Sequence, residues 1–115
     1  MPIDAVALTQ DLIRFRTINP PGEEEACARH LGRILEGAGF QCDYVQMGPG
    51  RANLIARIGN SSNPLAFTGH IDVVPLGARA WSMDPFSADT ANSRIYGRGA
   101  SDMKSGVARD RKSVV

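Results

Sequence analysis

The first third of the chain has apolar residues at the spacing of two amphipathic helices. A stripe of apolar residues three or four positions apart predicts a helix over about residues 3–15, made by Ala5, Leu8, Leu12 and Phe15. The Asn-Pro-Pro-Gly sequence at 19–22 ends it, because proline lacks a backbone donor and restricts the residue before it. A second helix is predicted from the acidic run 23–25, expected to be solvated, to the glycines at 37 and 39.

After residue 40 the pattern becomes that of strands separated by turns. Residues 41–47 and 53–58 are predicted to form two strands, separated by a turn-rich Gly-Pro-Gly sequence. In the second segment Leu54, Ala56 and Ile58 alternate with Ile55 and Arg57. The short apolar run 64–68 fits a buried strand, and residues 94–96 predict a further one. A third helix is expected to begin just after Asp102. Helices followed by strands and then by a strand–loop–helix favour an α/β fold.

Composition narrows the class of protein without naming a function. The 115 residues suffice for one small domain, and a net charge of +1 indicates no broad attraction to nucleic acid. No apolar run reaches the roughly 18 to 20 residues of a membrane-spanning helix, and the first residues lack a signal-peptide pattern. Two cysteines, Cys27 and Cys42, are too few for a disulfide framework and are expected to be buried thiols. A cytoplasmic protein without nucleic-acid or membrane partners is therefore expected.

His70 and Asp72 form the first candidate pair for chemistry. They stand two residues apart after the apolar run, so both side chains can point the same way. Imidazole is a common zinc ligand, and a carboxylate that accepts the second ring N–H fixes its tautomer. An isolated His-x-Asp, however, is more often a structural histidine beside a solvated aspartate.

Asp102 is the third candidate. It follows a glycine-rich turn, Gly97-Arg98-Gly99, which allows close approach of the backbone. A carboxylate there is able to bridge two cations, which lie roughly 3.5 to 4 Å apart in two-metal hydrolases. Taken alone, an aspartate before a helix is more often its N-cap. Two further residues have open interpretations: Trp81 lines a substrate entrance or packs its own loop, and Lys104 meets an anionic substrate or is a solvated helix residue.

The combination of these short motifs is more specific than any one of them. In order they are Gly69-His70-Ile71-Asp72-Val73-Val74-Pro75, Trp81, Asp84-Pro85-Phe86, Tyr96-Gly97-Arg98-Gly99, Asp102-Met103-Lys104 and Gly106. At this spacing residues 69–106 resemble the zinc-dependent M20 peptidase family, which includes desuccinylases, deacetylases, aminoacylases and carboxypeptidases.

The resemblance implies a role for each matching residue. His70 is expected to bind one metal ion, Asp102 to bridge two, and Asp72 to act in catalysis as the carboxylate that orients His70. Two zinc ions are implied, with cobalt or manganese as substitutes. The family also uses a Glu-Glu pair, a further acidic ligand and a late histidine, for which no counterpart is found in these 115 residues. The chain alone is therefore expected to bind zinc weakly or not at all and to be inactive.

The resemblance also implies a fold and a class of substrate. The expected fold is α/β, the truncated N-terminal part of a zinc-peptidase-like three-layer α/β/α catalytic domain over residues 1–109. Residues 110–115 are expected to be a non-native tail, with a genuine charged tail as the alternative. The expected reaction is cleavage of the amide bond of an N-acyl amino acid, as in succinyl-diaminopimelate desuccinylase or acetylornithine deacetylase, by a homodimeric full-length protein. A dipeptidase or carboxypeptidase acting on small peptides, or a non-catalytic remnant that only binds a partner, remains open.

Overall fold

Two amphipathic helices begin the chain, as predicted. The computed structural model describes residues 2–114, and for 111–114 the backbone only. Helix α1 spans Ala5–Arg14, and helix α2 spans Glu25–Gly37. The carboxylate of Asp4 caps α1 by accepting the backbone N–H of Val6 at 2.8 Å, which satisfies a donor that has no partner within the helix.

A β-hairpin follows and packs against α2. Strands β1 (Gln41–Gly48) and β2 (Arg51–Arg57) pair antiparallel, with Gln41 opposite Arg57. Gly32 of α2 has no side chain where the hydroxyl of Tyr44 approaches, so the helix lies close to the sheet. Both strands match the predicted ones within two residues at each end.

The second half of the chain is mostly loop, with short regular segments. Strands β3 (Thr90–Ala91) and β4 (Arg94–Ile95) form a small antiparallel pair. A wide helical turn, Ala100–Lys104, leads into helix α3, Ser105–Val114. None of the described helices has the length and apolar character needed to cross a membrane. The predicted α/β class is confirmed. The predicted non-native tail at 110–115 stays a prediction, because Val115 and the side chains of 111–114 lie outside the described residues.

The core forms where α1, α2 and α3 meet. It is made by Leu8, Leu12, Cys27, Leu31 and Ala108, with Phe15, Leu54 and Ile71 packed around it. Cys27 is fully buried and Cys42 partly so, and the two do not form a disulfide. This packing sets α3, and the turn that precedes it, against the N-terminal helix.

The prediction of a buried strand at 64–68 is wrong. The segment has no regular secondary structure, and its apolar side chains face outward, with Leu65 83% and Phe67 50% exposed. An extended segment becomes a strand only where a neighbour satisfies its backbone groups, and no described residue pairs with this one. The apolar run favours a strand, but the pairing partner that a strand needs is not among the described residues.

Two charged residues are buried, which contradicts both interpretations of Lys104 and the solvated position expected for Glu24. Lys104 is 0% exposed and donates from Nζ to the carbonyl oxygen of Phe15 at 2.9 Å, so it neither meets solvent nor reaches toward a substrate. Burial lowers the pKa of Lys104 below its usual value. Glu24 is 6% exposed, and its carboxylate accepts hydrogen bonds from Nε and Nη2 of Arg51 at 3.0 and 2.8 Å. In each case a residue distant in sequence forms the hydrogen bonds that the buried charged group no longer makes with water. The local sequence pattern contains no sign of such a partner.

Candidate active site

The imidazole of His70 lies between two carboxylates. Its Nδ1 is 3.1 Å from Oδ1 of Asp72, and its Nε2 is 2.9 Å from Oδ1 of Asp102. Nδ1 is also 3.2 Å from the backbone oxygen of Asp72. The structure thus brings together all three residues singled out from the sequence, with one carboxylate at each ring nitrogen.

These contacts shift the pKa values of His70 and Asp72. Burial by itself lowers the pKa of His70, but the hydrogen bonds to Asp72 and Asp102 and their negative charges outweigh it, so the pKa is raised. The pKa of Asp72 is lowered, first by the hydrogen bond from the side chain of Asn19 and then by the charge of His70. Asp72 is therefore an anion at neutral pH, and its carboxylate is able to accept a hydrogen bond from the N–H at Nδ1 of His70.

The segment that carries His70 and Asp72 is held by the chain that follows α1. Residues 17–19 and 71–73 form a short parallel bridge. In it the backbone N–H of Val73 donates to the carbonyl oxygen of Thr17 at 2.9 Å, and the backbone N–H of Asn19 donates to the carbonyl oxygen of Val73 at 2.8 Å. The hydroxyl of Thr17 donates to the carbonyl of Ile71 at 2.6 Å. The side-chain amide of Asn19 then reaches Oδ2 of Asp72 at 3.1 Å. The sequence pattern places Asn19 only in a helix-ending turn, since a single sequence carries no signal for this contact.

A glycine turn places the third residue. At Gly99 the backbone has a φ of +86°, which favours glycine, and a Cβ there would lie 2.6 Å from Val73. The backbone N–H of Lys104 donates to the carbonyl of Gly99 at 2.9 Å, closing the turn around Asp102. Asp102 does not adjoin helix α3, because Met103 after it also has a non-helical backbone, with φ −138° and ψ 33°, and the helix begins at Ser105. Among the described residues the carboxylate of Asp102 contacts Nε2 of His70 and accepts no backbone N–H of the helix. The alternative that Asp102 is a helix N-cap is therefore wrong in this structure.

A cleft of about 420 Å³ opens beside the three residues. Its wall includes Trp81, whose ring lies 5.0 Å below the guanidinium of Arg98. Trp81 also donates its indole N–H to the carbonyl of Leu76 at 3.3 Å. Trp81 thus both packs its own loop and lines the cleft, so the two interpretations of this residue are compatible.

The pair His70 and Asp102 fits a divalent metal ion. Zinc binds histidine nitrogen and carboxylate oxygen at about 2.0 to 2.2 Å, so two ligands of one tetrahedral ion lie roughly 3.3 Å apart. The 2.9 Å between Nε2 of His70 and Oδ1 of Asp102 is close to that spacing. Asp102 is 86% exposed, so its carboxylate is free to adjust. Across residues 2–110, whose side chains are described, no group of three or more His, Cys, Asp or Glu converges on one point.

Comparison with known proteins agrees with the resemblance in the motifs. Residues 66–109 match the model of peptidase family M20/M25/M40. Over 111 residues the chain is 50% identical to a succinyl-diaminopimelate desuccinylase of Cereibacter sphaeroides (strain ATCC 17029 / ATH 2.4.9). The chain belongs to the M20 family. This M20 chain is also 46% identical over 111 residues to the desuccinylase of Ruegeria pomeroyi, and 43% over 112 residues to that of Wolbachia sp. subsp. Brugia malayi.

The M20 chain matches only part of each relative. The alignments cover 94% of this chain but 28%, 28% and 27% of the Cereibacter, Ruegeria and Wolbachia proteins. The M20 desuccinylase family is metal-dependent, which agrees with the donor set at His70 and Asp102. The predicted family is thus confirmed, whereas the individual roles of His70, Asp72 and Asp102 stay predictions.

Proposed function

We propose that this chain supplies part of a metal-dependent amidohydrolase site that removes the acyl group from an N-acyl amino acid, with succinyl-diaminopimelate as the leading substrate. The observation that carries the proposal is the His70 imidazole held between Asp72 and Asp102. This arrangement occurs in a chain 50% identical to a succinyl-diaminopimelate desuccinylase. Cleavage of an amide by water needs an activated nucleophile and a polarised carbonyl, and paired metal ions provide both.

In this proposal each of the three residues has a separate task. His70 would hold one metal ion through Nε2, and the accessible carboxylate of Asp102 would serve as the ligand shared by two. Asp72 accepts the N–H of Nδ1, which leaves Nε2 unprotonated for ligation and raises its basicity. When bound, two zinc ions would polarise the scissile carbonyl and lower the pKa of a water molecule. Cobalt and manganese are the proposed substitutes.

The cleft beside these residues has a chemical character that suits the substrate. Arg98 places a positive charge on its wall, stacked over Trp81. N-Acyl amino acids carry at least one carboxylate, so a cation near the metal ligands favours their binding. The general base and remaining metal ligands of an M20 site have no counterpart among these residues, so complete catalysis requires further chain.

The named relatives favour a deacylase over the other candidates. All three of the relatives described above are called succinyl-diaminopimelate desuccinylase, so a dipeptidase or carboxypeptidase is the weaker proposal. We further propose a cytoplasmic, homodimeric full-length protein without nucleic-acid or membrane partners, in which residues 1–109 belong to the catalytic domain and 110–115 to a non-native tail. A chain that only binds a partner is the outcome if no hydrolysis is found.

A chimera tests the proposal directly. Residues 1–109 replace the matching part of the Cereibacter sphaeroides desuccinylase, and release of succinate from N-succinyl-diaminopimelate is measured with zinc present. We expect turnover within about tenfold of the parent enzyme, lost by more than a thousandfold in a His70→Ala chimera, since one of its metal ligands is then missing. Asn63→Ala, in an exposed loop, is the matched control. A folded chimera that hydrolyses N-acetylornithine or a dipeptide in preference would overturn the substrate, and one with no hydrolysis would overturn the function.

A further inference from the structure

The carboxylate of Asp72 has two oxygens, and each has a separate contact. Oδ1 lies 3.1 Å from Nδ1 of His70, whereas Oδ2 accepts the side-chain amide of Asn19 at 3.1 Å. An aspartate fixed at a single oxygen still rotates about its Cβ–Cγ bond, since that torsion is broad. Contacts at both oxygens define the plane of the carboxylate, and therefore the direction from which His70 meets it.

Asn19 is itself held more firmly than a residue of a free loop. Its backbone N–H donates to Val73, one residue beyond Asp72, at 2.8 Å. Thr17, which is fully buried, bonds to Ile71 through its hydroxyl and to Val73 through its carbonyl. The amide of Asn19 thus approaches Asp72 from a backbone joined to the strand-like segment on both sides of it.

We infer that Asn19 is a positioning residue of the site, which holds Asp72 in the orientation that presents Oδ1 to Nδ1 of His70. The chain of contacts runs from the Asn19 amide to Asp72, from Asp72 to His70, and from His70 to the face where Asp102 lies. Hydrogen bonds to an ionised carboxylate are among the stronger ones, so an amide suffices for this task. The lowered pKa of Asp72, due first to Asn19, agrees with it.

Local sequence pattern provides no reason to expect this role, because Asn19 and Asp72 lie 53 positions apart. Two simpler roles for Asn19 account for less of its geometry. As a helix-ending residue it needs no side-chain contact, and as a surface residue it would not be partly buried. The role of Asn19 in catalysis rests on the proposed metallohydrolase function, whereas its effect on the orientation of Asp72 does not. The orientation and the function are therefore tested separately.

The test uses the 115-residue chain without metal and observes the His70 ring by NMR. At slightly acidic pH the Nδ1–H of a histidine bonded to a carboxylate gives a strongly deshielded proton resonance. We expect this resonance in the wild-type chain and in the Asn63→Ala control, and its shift or loss in Asn19→Ala. Asn19→Leu, similar in size but with neither a donor nor a charge, should lose it as well, which distinguishes the hydrogen bond from packing.

A double-mutant cycle shows whether Asn19 acts through Asp72. In an Asp72→Ala background, adding Asn19→Ala should leave the His70 spectrum unchanged, because the residue that transmits the effect is already gone. An unchanged Nδ1–H resonance in Asn19→Ala, or an equal change in the Asp72→Ala background, would overturn the inference. Thermal melts of each variant identify any that fails to fold, and Asn19→Leu then decides the matter.

A zinc titration of the same samples separates this inference from the proposed function. Loss of a residue that orients a metal-binding histidine typically lowers affinity about 10- to 100-fold, so we expect about a tenfold loss in Asn19→Ala. The binding is followed by the ring nitrogen resonances of His70 at millimolar zinc. If the Nδ1–H resonance responds to Asn19 but zinc never reaches Nε2, positioning stands and the proposed metal role fails.

Discussion

Replacing Gly97 by alanine should destabilise the fold, because the backbone of the glycine turn lies against a buried side chain. A Cβ at this position would lie 2.7 Å from Cγ2 of Ile13 and 3.0 Å from the carbonyl oxygen of Pro85. Ordinary contacts begin at 3.4 Å, so the overlap with Ile13 is about 0.7 Å. Ile13 is fully buried, so a shift of its side chain would displace other core atoms.

The magnitude follows from three effects. Overpacking of this kind costs about 1 to 3 kcal/mol. Movement of Pro85 would weaken the bond that its carbonyl accepts from the N–H of Arg98 at 2.8 Å, worth about 1 kcal/mol. The lower chain entropy of unfolded alanine offsets about 0.4 to 1 kcal/mol. We therefore expect Gly97→Ala to lower the free energy of unfolding by roughly 1 to 3 kcal/mol.

Urea denaturation followed by tryptophan fluorescence measures this free energy. The matched control is Gly37→Ala at the end of α2, where a Cβ meets nothing within 4 Å and alanine should be neutral or stabilise by up to about 1 kcal/mol. In an Ile13→Ala background, studied with sucrose to keep the chain folded, the cost of Gly97→Ala should fall, because the methyl group that it overlaps has been removed. A Gly97→Ala chain as stable as wild type, or a cost that is undiminished in the Ile13→Ala background, would refute the reasoning.

Three further predictions concern the metal ligands, a buried thiol and the exposed apolar segment. After gel filtration the chain should retain less than one zinc ion per molecule, because His70 and Asp102 are the only predicted ligands in it; stoichiometric zinc measured by mass spectrometry would contradict the proposed ligand set. Burial raises the pKa of Cys27 from 9.0 to about 11, so the thiol ionises at lower pH in the unfolded chain than in the folded one. The free energy of unfolding should therefore fall as pH rises from 9 to 11, by about 2 to 3 kcal/mol relative to a Cys27→Ala chain in urea titrations. Parallel pH profiles of the two chains would contradict this prediction. Leu65→Lys and Phe67→Lys should reduce light scattering by the chain without lowering its unfolding midpoint, since both side chains are exposed; unchanged scattering would show that aggregation begins elsewhere.

Local patterns in the sequence determined most of the regular elements. The spacing of Leu8 and Leu12 predicted α1, and the segments on either side of the Gly-Pro-Gly turn predicted strands β1 and β2, all within about two residues. Helices and hairpins are stabilised largely by contacts between residues near in sequence, so their signals lie in short windows. The M20 motifs, taken as a set, likewise identified His70, Asp72 and Asp102 before their proximity was known.

The tertiary structure decided which side chains are buried and which distant residues meet. Lys104 is 89 positions from the Phe15 carbonyl that it bonds, and Glu24 is 27 from Arg51. The amide of Asn19 reaches Asp72 only because residues 17–19 run beside 71–73. The segment 64–68 is apolar enough for a strand but has no pairing partner among the described residues. A sequence read in short windows contains the preference of each segment, whereas burial and pairing depend on what another part of the chain places beside it.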